Sequence, residues 1–393
     1  MKILAIETSC DETGIALVEV NVSKDSITAH TLKSELFSQI DIHKEFGGVF
    51  PAVAKREHAK SLPVLLKEIL DPRLRGDDDI IDFRGNDGAK SPHGNDVLFT
   101  EIKTLLSREQ GLFEDFEKIV PHLQKPDVDM LVVTEGPGLE PALWVGISFA
   151  RALSLYWNIP LIGAHHMKGH VFSVLLNKNH IEFPALAVLI SGGHTELVEM
   201  NSVSEFTIIG QTRDDAIGES YDKVARMLGF EYPGGPKIAQ LAQEARDLNI
   251  KSGDITLPRP MLHTPDFDFS FSGLKTAVLY KTQEFETLSD EIKLHIAHEF
   301  EEAIVEVLLK KIEKALKAKE YKNLIVSGGV IANTYIRSHI QTLADTHNIP
   351  LLLPTLTDST DNAQMIAVAG AIKSLHTNSQ INPNLKASGS AEY

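Results

Sequence analysis

Short apolar runs spaced along the chain constrain its fold more than any other feature. Each run has the length of one β-strand, is bounded by turn-forming residues and shows little alternation: "KILAIE", "MLVVTEG", "PLIGA", "ALAVLIS", "NLIVSGG" and "PLLLP". Such runs are typical of strands buried on both faces of a sheet. Helix-like segments lie between them, and in one of these apolar residues recur at Ile296, Phe300, Ile304 and Leu308. The alternation of strands and helices predicts an α/β fold.

Length and composition narrow the class of protein. A chain of 393 residues exceeds what one hydrophobic core usually supports, so we expect two domains. No apolar run approaches the ~20 residues of a membrane helix, and the N-terminal run turns acidic too soon for a signal peptide. The single cysteine, Cys10, cannot form an internal disulfide, which suits a reducing compartment. We therefore expect a cytoplasmic protein without a membrane segment.

The charge and two atypical segments also bear on function. The net charge of −16 argues modestly against a broad phosphate-binding face, so a nucleic-acid substrate would need a local basic patch or a partner's surface. The Asp- and Gly-rich stretch at about residues 70–96 predicts a flexible surface insertion. The polar end, "NPNLKASGSAEY", predicts a frayed tail.

Glycine turns follow several of the predicted strands, in "LISGGHTELV", "VTEGPGLEPAL" and "IVSGGVIAN". Glycine lets the backbone approach a ligand closely, and successive N–H groups can surround a phosphate. The turn at Ser191–Gly193 continues into strand-like residues, so we expect a hairpin, as in actin-like and sugar-kinase-like ATPases. None of the turns matches a P-loop or a dinucleotide-binding fingerprint, and each could be an ordinary tight turn.

Acidic residues supply further candidates for chemistry. Asp11 and Glu12 follow the first predicted strand, where they could transfer protons or contact a metal from its outer shell; a turn or cap role for Asp11 is the alternative. Asp222 could bind ribose or threonine hydroxyl groups.

The stretch "AHHMKGH" contains the strongest metal signal. His166 and His170 are four residues apart, which places both imidazoles on one face of a helix. Met167 stands where zinc proteases of the H-E-x-x-H type have their glutamate base, so that activity is disfavoured. Two histidines and one carboxylate suit Fe²⁺ or catalytic Zn²⁺. Asp358 and Asp361 are the candidates for the third ligand, and the spacing does not choose between them.

Segments in order along the chain resemble the TsaD family, also called Gcp or YgjD: "ILAIETSCDETGIAL", "HHMKGH", "LISGGHTELV", "DDAIGESYDKVARMLG", "YPGGP", "DFSFSGLKTAV", "SGGVIAN" and "STDNAQMIA". The resemblance implies an actin-like (ribonuclease-H-like) α/β fold of two similar lobes around a nucleotide and metal cleft. We expect an N-terminal lobe at 1–163, which contains the insertion, and a C-terminal lobe at 164–357 with the metal and nucleotide motifs. Residues 358–393 would form a helix that packs back on the first lobe, followed by the tail.

The resemblance also implies an activity. Members of the family transfer a threonylcarbamoyl group from threonylcarbamoyl-AMP to N6 of the adenosine 3′ of the anticodon (position 37), in tRNAs that read codons beginning with A. We expect metal-assisted acyl transfer with one divalent ion per chain, Fe²⁺ favoured over Zn²⁺. The implied partners are a paralogous TsaB-like protein, a TsaE-like ATPase and a TsaC-like synthase that supplies the donor. The alternatives are an ATPase or kinase of the same fold and a non-catalytic scaffold of a tRNA-modifying complex.

Residues that match the family's motifs receive roles from the same resemblance. His166, His170 and Asp361 would be the metal ligands, and Asp11 and Glu12 would lie near the reacting groups. The expected substrate contacts are Leu189, Ile190, Ser191, Gly192, Gly193, Asp222, Gly235 and Asn333. The chain departs from the family's pattern at Lys168, which replaces a glutamate between the histidines, and at Glu140-Pro141 and Ala363-Gln364.

Overall fold

The structure is a computed structural model that describes residues 1–22, 27–71, 96–177, 179–250, 255–375, 385–391 and 393. Most of the predicted insertion therefore lies outside the described residues. The strands are β1 Lys2–Glu7, β2 Glu12–Val22, β3 Ile27–Ser38, β4 Met130–Gly136, β5 Leu161–His165, β6 Ala185–Ile190, β7 Thr195–Met200, β8 Phe206–Gln211, β9 Asn323–Ser327 and β10 Leu351–Leu352. The helices are α1 Ile40–Lys44, α2 Pro51–Leu70, α3 Asp96–Leu106, α4 Leu112–Ile119, α5 Glu140–Trp157, α6 His166–Phe172, α7 Ile217–Met227, α8 Gly234–Asp247, α9 Ser272–Gln283, α10 Asp290–Ala318, α11 Thr334–Thr346 and α12 Ala363–Ser374.

The chain divides into two compact units. Unit 1 comprises Met1–Gln39, Val49–Gly169 and Asn362–Glu392. Unit 2 comprises Ile40–Gly48, His170–Asp361 and Tyr393. Helix α6 contains the point at which the chain passes from the first unit to the second.

Both units contain a five-stranded sheet of the same topology. In unit 1 the strand order is β3-β2-β1-β4-β5, with β1, β2 and β3 antiparallel and β4 and β5 parallel to β1. In unit 2 the order is β10-β9-β6-β7-β8, with β6, β7 and β8 antiparallel and β9 and β10 parallel to β6. The prediction of an actin-like α/β fold with two similar units is confirmed.

The lack of alternation in the apolar runs follows from burial on both faces of the sheet. In β4, Leu131 and Val133 belong to the apolar core that helices α2, α3, α4 and α5 form with the sheet of unit 1. Val132 points to the opposite face, where helix α12 packs. A Cβ atom at Gly370 of α12 would lie 2.3 Å from Cγ1 of Val132, so only glycine allows the helix to approach this closely.

Helix α10 supplies much of the core of unit 2. Its apolar residues at the predicted four-residue spacing, Ile296, Phe300, Ile304 and Leu308, are all fully buried. The helix begins after Ser289, whose side chain accepts a hydrogen bond from the N–H of Ile292. The predicted apolar face of this helix is confirmed.

The C-terminal segment at 385–391 follows unit 1. Leu385 is buried in the core of that unit, and the N–H of Ser388 donates to the carbonyl of Glu135 at 2.8 Å. Gly136 has a φ of +146°, and a Cβ at this position would overlap the carbonyl oxygen of Ser388. The described part of the tail is thus held by main-chain contacts that composition does not reveal.

Within the described ranges, each helix is too short or too polar to cross a bilayer.

Candidate metal and substrate site

Helix α6 presents the two histidines of the predicted metal site. It begins at His166, directly after β5, an edge strand of the sheet that pairs in parallel with β4. His166 and His170 are one helical turn apart and both are buried. Gly169, between them, lies against Met365 and Ile366 of α12, where a Cβ would be 3.1 Å from Cδ1 of Ile366. The sheet and α12 therefore fix the position of the helix from which the imidazoles project.

Asp361 is the carboxylate that the fold brings to the histidines. Its Oδ1 lies 3.0 Å from Nε2 of His170. The next residue, Asn362, caps α12 by accepting a hydrogen bond from the N–H of Met365 at 2.9 Å, which fixes the backbone at this point. Asp358, the other candidate left open by the spacing, accepts a hydrogen bond from Oγ1 of Thr355 at 2.6 Å within its own turn.

The three side chains meet the requirements of a metal site. Each of His166, His170 and Asp361 offers one ligand atom, and these atoms lie within 4.8 Å of one another. Ligands about 2.0–2.2 Å from one ion are separated by about 3 Å, which is the distance between His170 and Asp361. Two imidazoles and one carboxylate form a set that suits Zn²⁺ or Fe²⁺ and leaves coordination positions for a substrate. The donor set therefore fits a catalytic divalent ion.

Glu7, which the sequence analysis did not select, lies behind His166. Its carboxylate is fully buried at the end of β1, and Oε2 lies 3.3 Å from Nδ1 of His166. The hydroxyl of Thr134 in β4 donates to the same oxygen at 2.5 Å, and the N–H of Ser9 donates to Oε1. The signal that could have identified Glu7 is a charged residue at the end of an otherwise apolar strand, since such a residue is rarely fully buried without partners.

Asp11 and Glu12 lie at the turn from β1 to β2. Asp11 is buried, and its carbonyl accepts a hydrogen bond from the N–H of Gln39 at 2.9 Å. Glu12 begins β2 and is partly exposed. His58 of α2 supports the turn, because Nε2 lies 3.0 Å from the carbonyl of Cys10 and Nδ1 lies 2.8 Å from the hydroxyl of Thr13. The turn is therefore held by a buried side chain that is distant in sequence.

His165 and Lys168 complete the histidine stretch. Nε2 of His165 lies 3.2 Å from the carbonyl of Ala391, and Nδ1 accepts a long hydrogen bond from the N–H of Lys168 at 3.4 Å. Lys168 is half-buried; burial lowers the pKa of its ammonium group, the charge of Lys373 lowers it further, and Glu135 opposes both. His165 thus contacts the C-terminal segment, while its neighbour His166 faces Glu7.

The Ser191–Gly193 turn joins β6 to β7, so the predicted hairpin is confirmed. Its carbonyls are engaged: those of Ser191 and Gly192 each accept a hydrogen bond, at 3.2 Å, from the N–H groups of Gly218 and Glu219 in α7. A Cβ at Gly192 or Gly193 would meet no atom within 4 Å, so packing does not require glycine there. Leu189 and Ile190 are fully buried in β6, which lies between β9 and β7 in the sheet, so neither side chain faces a ligand.

The remaining predicted substrate contacts have structural roles at helix starts. Oδ1 of Asp222 accepts hydrogen bonds from the N–H groups of Gly234 (2.7 Å) and Gly235 (3.3 Å), which begin α8. Asn333 caps α11 by accepting from the N–H groups of Tyr335 and Ile336, and its Nδ2 donates to the buried Glu301 at 2.7 Å. The structure thus brings Asp222 and Gly235 together.

Comparison with known proteins assigns the chain to a family. A family model described as "TsaD: tRNA N6-adenosine threonylcarbamoyltransferase" matches residues 30–73 and 120–368, well over half of the chain. The chain belongs to this threonylcarbamoyltransferase family.

Individual threonylcarbamoyltransferases align over nearly their full lengths. A protein of Thermosipho africanus named tRNA N6-adenosine threonylcarbamoyltransferase is 39% identical over 371 residues, 94% of this chain and 93% of its own. A protein of the same name from Francisella tularensis subsp. novicida is 38% identical over 390 residues, 98% of this chain and 99% of its own. As a member of the threonylcarbamoyltransferase family, the chain is a transferase that acts on tRNA. Membership therefore favours the transferase interpretation over the kinase and scaffold interpretations.

Proposed function

We propose that this chain transfers the threonylcarbamoyl group from threonylcarbamoyl-AMP to N6 of adenosine 37 in tRNAs that read codons beginning with A. The observation that carries the proposal is the convergence of His166, His170 and Asp361 within a chain of the threonylcarbamoyltransferase family. One divalent ion per chain is expected, with Fe²⁺ favoured and Zn²⁺ an alternative. The two nitrogen ligands and one oxygen ligand are compatible with both.

The metal site would serve the acyl donor. When bound, the ion would supply a Lewis acid that polarises the carbamoyl carbonyl and a fixed point for the threonyl part of the donor. His166, His170 and Asp361 would hold it from one side, because both histidines belong to one turn of α6. The burial of the two histidines would limit the access of water to a donor that hydrolysis would destroy.

The Ser191–Gly193 turn would bind the adenylate phosphate. The open space at Gly192 and Gly193 allows an anion to approach the main chain, and main-chain N–H groups are suitable donors to phosphate. Hydrogen bonds from α7 to the carbonyls of Ser191 and Gly192 hold the turn in place before a ligand arrives. Asp222 of α7, Gly235 in the first turn of α8 and Asn333, the N-cap of α11, would contact the adenylate.

The reaction is an acyl transfer in which one bond is exchanged for another. The N6 amine of adenosine attacks the carbamoyl carbon, a C–N bond forms, the bond from that carbon to the phosphate oxygen breaks, and AMP leaves. The amine must lose one proton, and Asp11 or Glu12 would accept it at a carboxylate oxygen. An exocyclic adenine amine is a weak nucleophile, so we expect positioning to contribute more than base strength.

Partners and location follow from the same proposal. The net charge of −16 suits a protein that shares the binding of tRNA with other chains. We propose a paralogous TsaB-like protein and a TsaE-like ATPase as partners, a TsaC-like synthase as the source of the donor, and the cytoplasm as the location. Tight binding of tRNA by the isolated chain at physiological salt would contradict the shared-binding part of the proposal.

The test is reconstitution of the transfer with donor, unmodified tRNA and the partner proteins. The His166→Ala variant should form modified adenosine at a rate reduced by more than about 100-fold, because one ligand of three is removed. The matched control is His165→Gln, which alters the adjacent histidine and can still donate to the carbonyl of Ala391. Wild-type rates in the His166→Ala variant would refute the metal role.

Further measurements distinguish the transferase from a kinase or ATPase and from a scaffold. A kinase or ATPase would release phosphate from ATP without tRNA, and a scaffold would bind tRNA and partners without transfer. Metal analysis of the purified chain should find about one transition-metal ion per chain. Replacement of tRNA by a transcript with guanosine at position 37 should abolish the transfer, since the accepting amine would be absent.

A further inference from the structure

We infer that Glu7 is a positioning residue that holds His166 in the tautomer needed for metal binding, with the proton on Nδ1 and the lone pair on Nε2. This inference rests on the proposed function, because it assigns the orientation of a proposed ligand. Glu7 is not one of the three converging ligands, and it ends β1.

Three adjacent strands bring Glu7 and His166 together. Strands β1, β4 and β5 are parallel neighbours in the sheet of unit 1, so their carboxyl ends lie side by side. Glu7 ends β1, Thr134 is the neighbouring position of β4, and His166 directly follows β5. A glutamate side chain at this place reaches the imidazole without leaving the protein interior.

The hydrogen bonds of the Glu7 carboxylate indicate where the proton of His166 lies. Glu7 is fully buried, and Oε1 accepts from the N–H of Ser9 while Oε2 accepts from the hydroxyl of Thr134. Both oxygens of the carboxylate thus already accept a hydrogen bond, and the third group in contact with them is Nδ1 of His166, 3.3 Å from Oε2. With Glu7 as the acceptor of this contact as well, Nδ1 is the donor and holds the proton.

The position of the proton determines which nitrogen of His166 can bind the metal. A neutral imidazole with its proton on Nδ1 has its lone pair on Nε2, so Nε2 becomes the ligand atom. A carboxylate behind a metal-binding histidine also fixes the ring and increases the basicity of the ligating nitrogen. Loss of such a partner typically lowers metal affinity by about 10–100-fold.

The Glu7→Gln variant tests this arrangement with almost no change in volume. Glutamine has one accepting oxygen and one donating NH₂ group, but all three partners of Glu7 donate. If the NH₂ group faces His166, Nδ1 must accept and the proton moves to Nε2, which can then no longer bind a metal. If it faces Ser9 instead, two donors oppose each other and the side chain is displaced.

The experiment measures the affinity of the purified full chain for Zn²⁺ alone, by competition with a chelator. We expect the affinity of Glu7→Gln to fall about 10–100-fold. Thr134→Val keeps the carboxylate and should keep most of the affinity. Glu299→Gln is the matched control for the loss of a buried carboxylate, because Glu299 is 4% exposed and pairs with Arg259 of unit 2. Unchanged affinity in Glu7→Gln would overturn the inference.

A second measurement does not depend on whether the variant folds. Two-dimensional ¹⁵N NMR of the metal-free wild-type chain distinguishes histidine tautomers, and the signal of His166 is assigned by its loss in His166→Gln. A proton on Nδ1 supports the inference, and a proton on Nε2 overturns it. Failure of the wild-type chain to bind Zn²⁺ would instead remove the proposed metal site, and the tautomer would still decide the role of Glu7.

Discussion

The two sheets share one topology, but the carboxyl ends of their parallel strands differ in chemistry. At the carboxyl ends of β1, β4 and β5 of unit 1 the chain carries buried side chains with carboxyl, hydroxyl or imidazole groups, among them Glu7, Thr134 and His166. After β6 and β9 of unit 2 it carries the glycine turns at Ser191–Gly193 and Ser327–Gly329. One sheet offers side-chain ligands and the other offers main-chain groups.

This difference shows how a repeated fold separates two tasks. A metal ion needs a few fixed nitrogen and oxygen atoms, which buried side chains on neighbouring strands can hold rigidly. A phosphate needs several N–H donors and close approach, which glycine turns provide. The proposed function assigns the acyl group of the donor to the first chemistry and its adenylate to the second.

The largest expected effect concerns the carboxylate that completes the histidine pair after β5. Asp361→Ala should lower zinc affinity and the rate of transfer by more than about 100-fold, because it removes one of three ligands. Asp358→Ala is the matched control and should change both by less than about threefold. Chelator competition measures the zinc affinity, and the reconstituted reaction measures the rate of transfer. Equal losses in the two variants would contradict the assignment of Asp361 as the third ligand.

The next effect tests the packing beneath the first sheet. Gly370→Ala should lower the free energy of unfolding by about 1–3 kcal/mol, because the added Cβ would lie 2.3 Å from Cγ1 of Val132. Urea unfolding of the metal-free chain measures the change. Ala369→Gly, at the adjacent position of the same helix, controls for helix propensity, and wild-type stability in Gly370→Ala would show that α12 can shift at no cost.

A smaller effect is expected at the glycine turn of the second sheet. Gly192→Ala should weaken donor binding by about tenfold while stability stays within about 0.5 kcal/mol, because the added Cβ meets no protein atom within 4 Å but enters the space proposed for the phosphate. Calorimetric titration with a non-hydrolysable donor analogue measures the binding. A loss of stability without a loss of binding would mean that Gly192 serves packing and not the binding of the phosphate.

The smallest effect concerns a helix start in unit 2. Asp214 accepts hydrogen bonds from the hydroxyls of Ser270 and Ser272 and from the N–H groups of Phe271 and Ser272 at the start of α9. Although burial raises the pKa of Asp214, these hydrogen bonds lower it to about 2. Asp214→Asn should therefore cost about 1 kcal/mol of stability at pH 7.

The pH dependence of that effect has a defined sign. Because the pKa is lower in the folded state than the ordinary value of 3.8, the stabilisation is complete above about pH 4 and is lost as the pH falls towards 2. The difference between the wild-type chain and Asp214→Asn should shrink over that interval in urea titrations. A difference that stays constant down to pH 2 would mean that the charge of Asp214 contributes nothing.

More of the fold than of the site could be predicted from the sequence. The apolar runs identified β1, β4, β5, β6, β9 and β10 but not β2, β3 or β8, because only burial on both faces of a sheet selects unbroken apolar runs. The spacing of Ile296, Phe300 and Ile304 identified a helix face. The histidine pair was visible because four residues make one helical turn. The choice between Asp358 and Asp361 was not, since either lies close to α12 and only the folded chain places one oxygen 3.0 Å from His170.

The sequence by itself determined the fold class, the family, the histidine pair and the glycine hairpin, because each depends on local periodicity or on matched short segments. Only the tertiary structure decided what surrounds them. Glu7 lies 159 positions from His166 in the chain, and the C-terminal Ala391 lies 226 positions from His165. Contacts of this kind arise from the pairing of parallel strands and from the return of the chain to its first sheet, and no periodicity records them.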